Sequence, residues 1–347
     1  MAVRPHNDQH EAVEELPLVS EAATVTDVTA MDRDRREAVL DALERLLDVH
    51  NCDEWLASGE WTRDRPDWAR LRAVLAPEEG SDLERRLDRL RERYERPYPM
   101  LVSVRFRTDD PFDYRPGQYV TLRYRDVSRP YSIASSPNAD ETELCVRRVP
   151  DGTLTPWLCD DLEPGDNLAI RGPNGEFLLE SPSERDLVFL ATGTGVAPFK
   201  SMIDYVFEEG WDEHGGDRRD VWLFLGAAWE DDLPYRDAFA ALDDERENFH
   251  FVPTLSREGY LTDWEGETDY VQYALTKYLD AGAVAGDLPT DLDAYLGVEP
   301  VVGVDARIDP GSVEVYACGV SAMAYGLVDV AEAVGVPERH VHAEGYG

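Results

Sequence analysis

The sequence predicts two domains of different class, an antiparallel β-barrel followed by a parallel α/β domain, behind a helical N-terminal extension. Three observations predict it. Strand-type runs separated by Pro/Gly/Asp turns fill residues 101–170, whereas from Leu187 onward strand and helix patterns alternate. Between the two, an apolar run at 187–190 breaks into Gly193-Thr194-Gly195 and restarts as a helix with Phe199, Ile203, Val206 and Phe207 on one face. A chain of 347 residues has room for both domains and an extension.

Taken in order, residues 1–30 are polar and acidic without periodicity, which predicts disorder. A helix over 34–49 follows, with Val39, Leu40, Leu43, Leu46 and Leu47 sharing a face. Next come a tryptophan-rich patch (Trp55, Trp61, Trp68), a short helix over 67–75, and Ser81-Asp-Leu-Glu84, a capping box opening a third helix with Leu83, Leu87, Leu90 and Tyr94 aligned. This places a disordered tail and small helical module in 1–96, and packing onto the next domain is its simplest role. Strands over 101–106, 119–124, 131–134, 143–149 and 167–170 then build the barrel, assigned to 97–183. The α/β domain takes 184–347, with strand–helix pairs at 221–225 and 233–242, 249–252 and 270–279, and 313–317 and 321–334. An acidic, glycine-containing insertion over 281–311 reads as a surface loop.

The net charge of −38 excludes a nucleic-acid backbone as partner. Only Lys200 and Lys277 are lysines, so 32 of the 34 basic residues are arginine. Acidic excess dispersed over every segment resembles the surface of a protein from an extreme halophile, because molar salt shortens the Debye length to about 3 Å. Four cysteines (Cys52, Cys145, Cys159, Cys318) form no C-x-x-C pair and none of the spacings that hold iron–sulfur clusters or zinc, so no metal site is expected. His250, His340 and His342 lack the company of metal ligands. No signal-peptide core or membrane-spanning run is evident, and a cytoplasmic protein is the expectation.

Gly193–Gly195 joins a strand, a glycine turn and a helix start, which together form an anion site; Ala197-Pro198 suits the first helical turn. An ordinary strand-to-helix connection is the alternative for this segment alone. Arg129-Pro-Tyr-Ser132 offers a cation, a ring and a hydroxyl at what reads as a strand start, with Arg129 and Tyr131 on one side and Ser132 on the other. Gly152-Thr-Leu-Thr155 opens a helical segment and supplies a second phosphate cradle, and Gly172-Pro-Asn-Gly175 is a structural turn.

The order R-x-Y-S, G-x-x-[ST], G-P-x-G, G-T-G-x-A-P, S-R-E, Y-V-Q, C-G and a closing E-x-Y resembles the ferredoxin–NADP⁺ reductase family, especially its plant-type branch, over residues 101–347. The segments Leu144-Cys-Val-Arg147, Trp222-Leu-Phe-Leu-Gly226 and Leu233-Pro-Tyr235 extend it. The resemblance implies an FAD-binding barrel followed by an NADP-binding α/β domain. It implies that Arg129 and the Gly152, Thr153 and Thr155 helix start hold the FAD pyrophosphate. Tyr131 would stack on the isoalloxazine, Ser132 would lie near flavin N5, and Cys145, Val146 and Arg147 would line the adenosine side. Gly193, Thr194 and Gly195 would take the NADP pyrophosphate. Ser256 and Arg257 would take the 2′-phosphate, for which a permanently charged planar fork is suited, and Tyr270 would stack on adenine. Cys318, before Gly319, would sit beside nicotinamide C4, Glu344 would bond within the hydride-transfer site, and Tyr346 would cover the second flavin face. A buried packing role is the plainer reading of Cys159 and competes for Cys145 and Cys318.

Two positions depart from the family. A basic residue often stands two before the adenine-stacking tyrosine; here it is Thr268, between Glu267 and Asp269, and NADH becomes possible beside NADPH. Gly347 follows the closing tyrosine. The implied activity is hydride transfer between NADPH and FAD, and single-electron transfer between FAD and a separate carrier, an acidic ferredoxin. An NADH-dependent reductase component of an oxygenase or flavodoxin system is the nearest rival, and a non-catalytic flavoprotein electron-transfer or sensor subunit is a rival of another class. Because two acidic proteins must meet, electron transfer to such a carrier is expected to rise with KCl; a steady fall from low to molar salt would rule that partner out.

Overall fold

The computed structural model describes residues 4–5, 21–52, 63, 65–109, 112–257, 261–285 and 288–346. Trp55, Trp61 and Gly347 lie outside them. The polar stretch before the first helix contains a ten-residue strand, β1 (Glu21–Ala30), which turns Ala23 and Val25 into an apolar core. The expected disorder is therefore corrected for these residues. A register shift between Val25 and Asp27 breaks the alternation, and the inward residues are few and small, so period-two patterning is faint there.

After β1 the chain makes three helices, α1 (Arg36–Val49), α2 (Trp68–Leu75) and α3 (Asp82–Glu95). Their apolar faces meet in one cluster that includes Val39, Leu43, Leu47, Leu71, Leu87 and Leu90. Ser81 caps the helix as expected, its Oγ accepting from Glu84 N at 3.2 Å, while the Glu84 carboxylate accepts from Gly80 N, one residue before the cap. The chain then returns as β2 (Leu101–Thr108), antiparallel to β1. Asp32 closes the excursion by accepting from Met100 N at 2.9 Å and Leu101 N at 3.3 Å. The helices are thus an insertion between two paired strands, not an extension ahead of the barrel.

The barrel continues with β3 (Tyr119–Tyr124), β4 (Val127–Ser132), β5 (Thr142–Arg147), α4 (Leu154–Asp160) and β6 (Asn167–Asn174). The antiparallel order is β4-β3-β6-β1-β2-β5, and a bridge between Ile133 and Leu144 joins its two ends. Val102, Val104, Phe106, Val120, Leu122, Leu144 and Val146 fill the interior, plugged at one end by Leu154 and Leu158 of α4. Arg129-Pro-Tyr-Ser132 ends β4 rather than starting a strand, because β3 and β4 form a tight hairpin through Arg125, at φ 57° without a glycine to announce it. Gly172-Pro-Asn174 likewise belongs to β6.

The second domain follows the strand–helix alternation: β7 (Asp186–Thr192), α5 (Ala197–Glu208), β8 (Val221–Ala227), α6 (Arg236–Glu245), β9 (Phe249–Leu255), α7 (Val271–Lys277), β10 (Val313–Val320), α8 (Ser321–Val334) and β11 (Val341–Tyr346). Its parallel order is β11-β10-β7-β8-β9, extended past β11 by Arg4–Pro5. The insertion after α7 is tethered by a buried carboxylate: Glu267 accepts from Lys277 Nζ at 2.7 Å, Tyr278 Oη at 3.1 Å and Val301 N at 2.8 Å.

Asp231 and Asp232, in the turn after β8, bind the three parts together. Arg35 and Arg93 pair with Asp231, while Arg96 and Arg147 pair with Asp232. Arg93 also lies over the Trp229 ring, 4.9 Å from its centroid. Burial alone would raise the Asp231 pKa, but Arg35 and Arg93 hold it below the ordinary carboxylate range. A depressed carboxylate stabilises the fold above the unfolded pKa of about 4 and stops doing so as pH falls through the lower folded value. Asp231→Ala, which strands buried Arg93, is expected to cost about 3 kcal/mol in urea unfolding and to flatten the acid limb of the stability–pH curve; an unchanged midpoint would contradict the role given to this pair.

Candidate functional site

In the parallel sheet the chain proceeds from β7 outward through β8 and β9, then crosses back to place β10 on the other side of β7. A crevice opens at such a reversal, beyond the carboxyl ends of the strands. A cavity of about 570 Å³ lies there, lined by Thr192, Gly193 and Thr194 after β7, Ala227 and Ala228 after β8, Ser256 after β9, Val320 and Met323 after β10, and Tyr346 of β11. Tyr270, Asp269, Asp232 and Arg147 also line it. Its composition is mostly apolar with a few hydroxyls and backbone groups, which suits a flat ring with a polar tail.

Two glycines make this approach possible. A Cβ on Gly195 would stand 2.4 Å from Cys318 O, and one on Gly319 would stand 2.6 Å from Thr192 Oγ1. The first would push β10 off the turn, whereas a Cβ at Gly319 would displace the side-chain ends of Met323 and Thr192. Gly193 adopts φ +51° with open space beside it, so that turn needs its freedom and leaves room for a ligand. Thr194 Oγ1 lies 3.3 Å from Tyr346 Oη, which also donates to Thr192 O at 3.2 Å. The terminal tyrosine is thereby fixed at the floor of this cavity.

Cys318 and Glu344 face each other in register on β10 and β11, and both are buried. Burial first, then the Glu344 charge, drives the Cys318 thiol well above its ordinary pKa. Ser132 pairs in register with Tyr119, whose phenol is raised by burial and then by Glu344.

The remaining predicted residues separate into two groups. Ser256 N donates to Ala227 O at 2.9 Å and Arg257 N to Ala228 O at 3.1 Å, which pins this turn to the cavity rim. Arg257 is exposed, and its guanidinium lies 3.5 Å from Glu92 of α3. Tyr270 presents an exposed ring. Of the acidic pair beside Thr268, Glu267 is turned inward as a tether, whereas Asp269 reaches the cavity wall and is bound by Lys277 and Tyr295.

On the barrel side, Arg129 is exposed and Tyr131 half-buried on one strand. The α4 start lies close by because Trp157 stacks on Tyr124 of β3, centroids 4.1 Å apart. Thr153 makes no side-chain capping bond among the described residues, whereas Thr155 Oγ1 accepts from Val149 N at 2.8 Å and holds the turn. A Cβ on Gly152 would meet Val149 O at 3.0 Å. An exposed guanidinium, an uncapped helix start and a ring on one rim suit a diphosphate joined to a flat heterocycle, as FAD requires. Cys145 packs between the domains against Leu101, Ala134 and Ala197, and Val146 is buried in the barrel core, so neither side chain lines an open surface. Arg147 does, and it pairs with Asp232 at 3.3 Å.

Asp232, Tyr119, Val320 and Met323 border these sites without any sequence signal; only the fold brings them there. Among the described residues no cluster of His, Cys, Asp and Glu could hold a metal ion, and no helix is long and apolar enough to cross a membrane.

Residues 101–178 match an oxidoreductase FAD-binding domain, and residues 189–329 an oxidoreductase NAD-binding domain. The chain is 32% identical over 257 residues to ferredoxin–NADP reductase B of Sorangium cellulosum, covering 72% of this chain and 92% of that protein. It is 31% identical over 185 residues to the phenol hydroxylase P5 protein of Acinetobacter pittii, covering 52% of this chain and 51% of the relative, so it spans about half of that protein's length. The Amycolatopsis cytochrome P450 reductase GcoB shares the fold, with a TM-score of 0.61 at 22% identity over 95% of this chain and 71% of that one.

Thiol chemistry checks the burial. Burial pushes the Cys145 thiol up and Cys159 to about 11, while Cys52 is only half-buried. Iodoacetamide at pH 8 should therefore alkylate Cys52 first, Cys159 slowly, and Cys145 and Cys318 only on unfolding. Early labelling of Cys318, read by peptide mass spectrometry, would contradict its enclosure.

Proposed function

We propose that this chain, which belongs to the ferredoxin–NADP reductase-like family of flavoprotein oxidoreductases, oxidises NADPH and passes the electrons singly, through FAD, to a separate acidic ferredoxin, or runs that sequence in reverse. The observation that carries the reading is the cavity at the strand-order reversal, where Gly193–Thr194, Ser256, Tyr270 and Tyr346 converge. When bound, FAD supplies the exchange between two-electron and one-electron chemistry.

The chain's own residues do the positioning. Arg129 and the α4 start bind the diphosphate of the flavin cofactor, and Tyr131 offers its ring as a shelf. Gly193, Thr194 and the first turn of α5 take the pyrophosphate of the nicotinamide nucleotide, a role supported by the close approach that Gly195 and Gly319 permit. Tyr270 stacks on adenine, and Ser256 with Arg257 receives the 2′-phosphate. Cys318 and Glu344 form an enclosed wall where the nicotinamide ring enters. The enclosed thiol stays protonated, and Glu344 stands beside it in register on the neighbouring strand. Tyr346 occupies the floor of that cavity and must move for the ring to enter. Ser132, at the end of β4, would lie beside the flavin ring.

An NADH-dependent reductase component of an oxygenase system is a second reading, favoured by Asp269 on the cavity wall and by Glu92 beside Arg257. The purified chain should show a flavin absorbance spectrum that bleaches on anaerobic NADPH titration. Arg257→Ala should then lower the ratio of kcat/KM for NADPH to that for NADH by about tenfold or more. A colourless protein would overturn the flavin assignment, and an unchanged ratio would overturn the 2′-phosphate assignment.

A further inference from the structure

Helix α3 lies outside the nucleotide-binding domain, yet one of its faces is committed to it. Arg89, Glu92, Arg93 and Arg96 share that face by their spacing. Arg89 and Arg93 lie over the Trp229 ring at 5.8 and 4.9 Å, and Arg93 and Arg96 enter the buried ion pairs with Asp231 and Asp232. The helix is therefore fixed in place, and with it the one carboxylate on this face. The other acidic side chains of α3 are used within the helical insertion: Asp82 with Arg85, Glu84 and Asp88 with Arg72, Glu95 with Arg91. Glu92 alone among them reaches out. Its Oε1 stands 3.5 Å from Arg257 Nη1, while Oε2 accepts from Arg89 at 3.4 Å.

We propose that Glu92 is a specificity-determining residue for the nucleotide, a carboxylate that competes with a 2′-phosphate for the Arg257 guanidinium. The inference rests on the reading of Arg257 as the 2′-phosphate ligand. Arg257 is held at the rim by its own backbone bond to Ala228 O, next to Ser256 in the cavity lining. A phosphate arriving at that guanidinium meets Glu92 as a like charge within ion-pair range of the same cation. Both side chains are about half exposed (48% and 50%), so the pair opens readily and Glu92 acts as a competitor, not a barrier. Its effect is to narrow the gap between nucleotides with and without the 2′-phosphate, from an element that the nucleotide-binding domain does not contain.

Calorimetric titration of the full chain with 2′,5′-ADP tests this, with 5′-AMP as the reference that lacks the 2′-phosphate. In buffer of about 50 mM salt, Glu92→Gln should tighten 2′,5′-ADP relative to 5′-AMP by about threefold to fivefold, and the gain should shrink in about 1 M KCl. The gain should vanish when Arg257→Ala is combined with it, because the competition has then lost its object. If Arg257→Ala weakens 2′,5′-ADP selectively while Glu92→Gln leaves the ratio where it was, the role of Glu92 is refuted and the Arg257 assignment stands. If Arg257→Ala itself leaves the ratio unmoved, the assignment fails and the inference falls with it.

Discussion

Two adjacent carboxylates, Asp231 and Asp232, tie the helical insertion and the barrel to the parallel domain. They sit in the turn that leaves β8, at the carboxyl edge where the nucleotide cavity opens, and Asp232 lines that cavity. The arginines that neutralise them come from the insertion (Arg35, Arg93, Arg96) and from the barrel (Arg147). Buried ion pairs are poor sources of net stability, because desolvation consumes much of the Coulombic gain. They are strong sources of position, since any arrangement that separates them leaves an unpaired charge out of water. In a chain of net charge −38, burying carboxylates against arginines also removes charge from the repelling surface. Salt that screens exposed pairs acts much less on enclosed ones, so this junction persists where surface pairs fade.

The two lysines tell the same story from the other sign. Lys277 is buried against Glu267 at 2.7 Å, and Lys200 lies on Asp204 at 2.8 Å with its ammonium 5.2 Å from the Tyr235 ring centroid. Neither is a freely solvated surface cation. Solvent-facing cations are arginines, whose weaker hydration and planar fork suit them to paired, multidentate contacts such as Arg63 with Glu37, Asp41 and Glu44.

What the sequence made legible follows the range of the forces involved. Four of the five strands of the parallel domain, β7 to β10, were readable, because they are continuous apolar runs and the turn at Gly195 is forced by close packing on Cys318 O; β11, with polar His342 and Glu344 in a short run, was not. The glycine turn after β7 was readable locally, whereas Ser256, Arg257, Tyr270 and Tyr346 stood out only through the family resemblance. β1 was not, since its small inward residues and the bulge at Val25–Asp27 erase the period-two signal, and its partners lie some 80 and 140 residues further along. The position of Arg129–Ser132 at a strand end depended on a hairpin turned by Arg125, a residue type that gives no warning of positive φ. Nothing local distinguishes Asp231 or Asp232 from the many other acidic residues; only the tertiary fold brings four arginines to them.

The insertion gains its meaning from the same geometry. Leaving the barrel at Ala30 and re-entering at Leu101, it costs the β1–β2 pair little, because closure entropy grows only slowly with the length of the excursion. Once the excursion is docked by Asp231 and Asp232, its helix α3 runs past the rim of the cavity, and whatever side chain stands at position 92 becomes part of the nucleotide's surroundings. If, as proposed, the domain takes its nucleotide with glycines and backbone N–H groups, it has little latitude to change preference without disturbing the fold at Gly195. An inserted helix carries no such constraint. On the reading proposed above, the pyrophosphate turn would locate the nucleotide, and the rim, part of it borrowed from outside the domain, would set the preference.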